Sequence, residues 1–145
     1  MNENIELLKE VYKNADMGVK SLTDLLKGIK ETDNKIKGLI EEELKGYEKY
    51  LKESKKMLKK YDQQAKGTGF MTDMMTKMGI NKEIKNDNSD SAIASMVIEG
   101  FTMGNLSLDK MITNYEKEVD NKVLNLAKNL YKFGEEEVKK LKTFV

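Results

Sequence analysis

Apolar residues return at every seventh position through most of this chain, and no proline interrupts them. Ile5, Tyr12, Val19 and Leu26 form one row, and Leu8, Ala15, Leu22 and Ile29 form a second. Two rows kept in step over several turns are the signature of a helix packed against other helices. Val11, Gly18 and Leu25 flank them and widen the stripe to the face a bundle helix buries. Lys9, Lys13, Lys20 and Lys27 fall on the opposite, solvated face. The pattern predicts a first helix from about Asn4 to Lys30. After the polar break Glu31-Thr32-Asp33-Asn34, which offers N-cap residues, the rows resume. Ile36, Glu43, Tyr50 and Met57 make one, Ile40, Tyr47, Ser54 and Tyr61 another, and Leu44, Leu51 and Leu58 a third. A second helix is predicted from about Asn34 to Lys66, and so short a link makes the two an antiparallel hairpin.

Lys66-Gly67-Thr68-Gly69 ends that pattern. Phe70 opens a methionine-rich stretch in which Met71, Met74, Met75 and Met78 follow the i, i+3, i+4, i+7 spacing of a short amphipathic helix. Asn86 to Ser91 reads as a loop and helix start. Two further helices are expected, from about Ser91 to Lys117 and from Val119 or Asp120 to Thr143. The organisation predicted over 1–145 is a single four-helix-bundle domain: hairpin 1 about 4–66, a crossover at 67–90, and hairpin 2 about 91–144.

The two hairpins resemble each other. An offset of 86 residues brings Met17-Gly18 onto Met103-Gly104, Ser21-Leu22 onto Ser107-Leu108, and Val11 onto Val97. One more residue of offset, placed in the turn, brings Asp33-Asn34-Lys35-Ile36 onto Asp120-Asn121-Lys122-Val123. Matches in the same order in both halves point to duplication of a helical hairpin. The second helix should be about 45–50 Å long at 1.5 Å per residue. The residues between the hairpins are enough to cross that length, which would set the third helix parallel to the second.

Duplicated hairpins joined by a long crossover are the ferritin-like arrangement, and the chain resembles that superfamily, in particular its small bacterial four-helix members. The resemblance implies an all-α, ferritin-like four-helix bundle. Metal-binding members carry an inward carboxylate on the first helix of each hairpin and Glu-x-x-His on the second. Here Glu43 is the inward acid expected on the second helix, yet Gly46 stands where the histidine would be, and Leu130 and Phe133 occupy the related places on the fourth helix. Ser21 and Ser107 stand near that layer, while Glu99 falls on an outward face. A di-iron oxidase or iron store is therefore not expected, and no cofactor is implied; Glu43 is the one weak metal candidate.

Composition narrows the chemistry. Cysteine, histidine, tryptophan and arginine are absent, and 26 lysines nearly balance 25 acids for a net charge of +1. Thiolate and histidine nucleophiles, cysteine zinc sites and disulfides are thereby excluded. The balance also lacks the basic excess of a general nucleic-acid binder. No stretch approaches the roughly 20 apolar residues of a membrane span. Met1-Asn2-Glu3-Asn4 lacks the basic and apolar regions of a secretory signal, so a cytoplasmic setting is expected.

Four features invite a role. Glu43 on an apolar stripe is either a structural glutamate bonded to Ser or Tyr, or a remnant ligand or acid with a raised pKa. Gly18 and Gly104, mid-helix at related positions, allow either close packing of the first and third helices or a ligand cavity between them. The six tyrosines lie mostly on or beside the stripes and read as core. Phe70, Met71, Met74, Met75 and Met78 either cover the bundle or bind a partner. Lysine pairs and the Glu41–Glu43 and Glu135–Glu137 runs read as balanced surface charge. The function expected is a non-enzymatic structural or protein-interaction module, a self-associating homo-oligomer or binder of an unknown protein partner. The alternative is a degenerate carboxylate protein holding a metal or small ligand in its core.

Overall fold

The computed structural model describes residues 2–61, 63 and 87–145, and these fold into four helices. They are α1 (Glu3–Gly28), α2 (Lys37–Lys60), α3 (Asp90–Tyr115) and α4 (Asn121–Lys142). The all-α bundle read from the heptads is thus what forms. Phe70, Met71, Met74, Met75 and Met78 lie outside the described residues.

Helix starts follow local chemistry in two cases. Asn2 accepts a hydrogen bond from the Asn4 N–H at 2.8 Å, and Ser89 accepts one from the Ala92 N–H at 3.1 Å, each satisfying a donor that the first turn leaves unpaired. The second helix corrects the sequence reading. It begins at Lys37 rather than Asn34, has no side-chain cap, and ends at Lys60, not at Lys66. Asn34 does not cap because its side-chain oxygen, the atom a cap uses, accepts from the Thr32 hydroxyl, while its amide donates to the Asp90 carboxylate at 2.9 Å and to the Asn88 carbonyl at 2.8 Å. A local bond to Thr32 and a tertiary one to Asp90 together take the place of the cap.

These contacts also fix helix directions. Asp90 at the start of α3 accepts from the Lys35 and Ile36 N–H groups at 3.2 and 3.4 Å, so α2 and α3 start at the same end. At the other end Tyr61, just past α2, donates to the Asp120 carboxylate at 2.6 Å, and the Asp120 N–H donates to Asn4 at 2.7 Å. Hence α1 and α4 start together, and α2 runs antiparallel to α4. The two hairpins, α1–α2 and α3–α4, pack most extensively, with α1 also touching α3 and α4, and α2 touching α4.

The core runs the length of the bundle along the predicted rows, from Leu7, Leu8 and Leu58 at one end to Ile29, Ile36 and Ile40 at the other. Its middle is aromatic. Tyr47 of α2 stacks on Phe101 of α3 with centroids 5.1 Å apart, and Phe133 of α4 meets both rings nearly edge-on, at 5.4 and 5.8 Å. Two glycines make room for these rings. A Cβ at Gly18 would lie 2.5 Å from the Tyr47 ring, and one at Gly46 would run into the Phe133 ring. Gly46 thus serves as the seat of an aromatic ring, a use that outweighs its cost of about 1 kcal/mol in helix propensity.

Candidate functional site

The antiparallel register of α2 and α4 brings Gly46 against Phe133 and Tyr61 against Asp120. One turn beyond Gly46 the same register sets Glu43 opposite Glu137. Both are buried, Glu43 completely and Glu137 to 4% exposure. Glu43 is bonded to neither Ser nor Tyr, the partners its structural reading supplied. Its two carboxyl oxygens have no hydrogen-bond donor. The side chain within hydrogen-bonding reach of them is the Glu137 carboxyl, and two carboxyls can share a hydrogen bond only when one of them holds a proton. Burial pushes the Glu43 pKa from 4.5 up to about 9, with the Glu137 carboxyl adding to the shift and the Lys140 ammonium opposing it weakly. Glu137 keeps one tie to solvent, an ion pair with Lys140 at 3.2 Å. Burial also raises the Tyr47 hydroxyl pKa, and the two carboxyls next to it act in the same sense.

Glu137 is a correction. The run Glu135–Glu137 reads as surface charge, yet its last member is core. The signal was present: Val123, Leu130 and Glu137 stand seven apart, in the row that the repeat pairs with Ile36, Glu43 and Tyr50. A further buried acid, Asp16, is paired with Lys20 at 3.0 Å. Among the described residues no three acidic side chains converge as a metal site would require. The Glu43–Glu137 pair therefore offers two carboxyl groups and, among the described residues, no third acidic ligand.

Ser21 and Ser107 do not reach this pair. They line a cleft between α1 and α3, with Met17, Gly18, Phe101 and Gly104. Its volume is about 380 Å³ and its walls are mainly apolar. The two glycines singled out in the sequence both border it, and they differ in what fills their missing side chain. The Tyr47 ring lies over Gly18, whereas Asn14 lies over Gly104 and donates to its carbonyl at 2.9 Å. Gly100, which the sequence reading passed over, also borders the cleft, and a Cβ there would meet nothing within 4 Å. Its polar lining includes Ser107, whose hydroxyl donates to the Glu10 carboxylate, and the exposed Lys13.

No helix among the described residues is long and apolar enough to cross a membrane. Comparison with family models, with curated proteins and with solved structures finds no match for this chain.

Proposed function

We propose that this protein is a non-enzymatic interaction module that self-associates through the outward face of α3. The observation that carries this reading is the make-up of that helix. From Ser91 to Leu108 it holds a single charged residue, Glu99, and it exposes Met103 and Leu106 by 69% and 72%. The outward faces of the other helices are dense in Lys and Glu. An apolar, nearly uncharged strip on an otherwise charged bundle is the kind of surface that partners cover. The Met-rich segment from Phe70 to Met78 belongs to the proposal through its sequence alone, since thioethers suit adaptable apolar contacts. Sedimentation over a hundredfold range of concentration tests the reading. A dimer that Leu106→Lys converts to monomer supports it, and a wild-type monomer at every concentration overturns it.

We read the architecture as ferritin-like and duplicated. The shared starting end of α2 and α3 supports a crossover running the length of the bundle. Duplication draws support from Gly46 and Phe133, equivalent positions of the two hairpins that lie against each other, as positions on a twofold axis between copies would. A cytoplasmic setting fits a chain without cysteine.

A second reading has its own observation. The buried Glu43 carboxyl facing Glu137 is where a degenerate carboxylate site would exchange the pair's proton for a cation in the core. Metal analysis of protein purified without chelator tests it. Stoichiometric metal that is lost in Glu43→Gln supports this reading, and metal-free protein overturns it.

A further inference from the structure

The exposed face of α3 has an order as well as an apolar character. Glu99, Met103, Leu106 and Lys110 stand four, three and four residues apart, and all are exposed. That spacing keeps them on one line along the helix, the kind of line through which a helix packs against another. Read along it, the row is acid, apolar, apolar, base. The two apolar residues and the two charges share one midpoint, between Gly104 and Asn105. Neither charge is engaged at home: among the described residues Glu99 and Lys110 have no ion-pair partner. They cannot meet within one chain either, because eleven residues of helix hold them about 16 Å apart.

Two copies of such a helix can meet along the row in two senses. A parallel pairing sets each residue beside its own copy, so Glu99 would face Glu99 and Lys110 would face Lys110. Like charges so placed oppose association. An antiparallel pairing about a twofold axis through the midpoint sets each residue beside the one equally far on the other side. Met103 then meets Leu106 of the second copy and Glu99 meets its Lys110, each contact occurring twice by symmetry. Sliding one helix along the other by a heptad loses these matches. It sets Met103 against Glu99 in one direction and Leu106 against Lys110 in the other.

Resting on the self-association read above, we propose that its form is a twofold, antiparallel α3–α3 pairing, in which Glu99 of each copy forms an ion pair with Lys110 of the other around a Met103–Leu106 centre. The apolar centre supplies attraction by leaving water, and the charges select direction and register. A contact along one helix lies at the small end of protein interfaces, so dimer and monomer should exchange with concentration.

Sedimentation equilibrium on the full chain, at about 50 mM salt where surface charges are weakly screened, tests the pairing. Glu99→Lys and Lys110→Glu should each raise the dissociation constant about tenfold, since each turns two attractive contacts into two repulsive ones. Glu99→Lys and Lys110→Glu together should return it to within about threefold of wild type, because the pairs re-form with their signs exchanged. Both positions are exposed, so the melting temperature of the dilute monomer should hardly move. Single variants that associate like wild type overturn the pairing, and so does a double variant no tighter than the singles. If the dimer is nevertheless lost in Leu106→Lys, self-association stands and only this register fails. A wild-type monomer at every concentration overturns both.

Discussion

Replacing Glu43 with glutamine should remove a pH dependence that the fold itself creates. In the unfolded chain Glu43 loses its proton near 4.5, whereas in the core it keeps it up to about 9. Folding between those values takes up a proton, so stability contributed by the neutral carboxyl is complete below 4.5 and declines as pH rises towards 9. The slope is about 1.4 kcal/mol per pH unit, or about 4 kcal/mol between pH 5 and pH 8. Against total stabilities of about 5–15 kcal/mol for ordinary domains, that is a large fraction. The proton belongs to the Glu43–Glu137 pair as a unit. Glutamine is similar in shape to the neutral acid and cannot ionise. Urea denaturation followed by circular dichroism at pH 5, 6, 7 and 8, on wild type and Glu43→Gln, isolates the pair's effect, because titrating groups other than the coupled Glu137 cancel in the difference. The variant should gain on wild type steadily with pH, by about 4 kcal/mol across the range. A difference that stays flat from pH 5 to pH 8, or that favours wild type as pH rises, would refute the account of a buried, proton-holding carboxyl.

Other consequences can be checked by the same denaturation. Glu137→Gln should reduce but not abolish the slope, since burial outranks the neighbouring carboxyl as the cause of the Glu43 shift. Gly18→Ala should destabilise by about 1–3 kcal/mol through overpacking against Tyr47, whereas Gly100→Ala, with open space at its Cβ, should stabilise by up to about 1 kcal/mol. Asp90→Asn should cost about 1 kcal/mol by weakening the bonds to Asn34, Lys35 and Ile36. Those bonds hold the Asp90 pKa below 3.8, the Asn34 side chain acting most strongly. Its contribution is therefore present above that value and lost as pH falls through the lowered one, where wild type and variant should converge.

How far the sequence could be read depended on the kind of interaction. Row residues such as Leu8, Leu22, Ile40 and Leu58 are buried as their spacing predicts, because a helix repeats its faces regardless of what lies opposite. Ends were less legible. Asn34 has the chemistry of a cap, but its oxygen is taken by Thr32 and its amide by Asp90, which is distant in sequence. Glu137 was hidden for a related reason: three consecutive glutamates look like surface, and only their phase against Val123 and Leu130 separates the third from its neighbours.

Periodicity, the absence of proline and the polar breaks were enough to determine four helices, the stripe each one buries and the pairing of neighbours into hairpins. These are local properties, set by the pitch of the helix and by short links. The meeting of Glu43 with Glu137, the seating of Tyr47 on Gly18 and Phe133 on Gly46, and the cleft between α1 and α3 depended on the axial register and rotation of helices far apart in the chain. Close packing of bulky rings against glycines selects that register. A stripe of apolar residues cannot specify it, since many sliding alignments bury such a stripe about equally well.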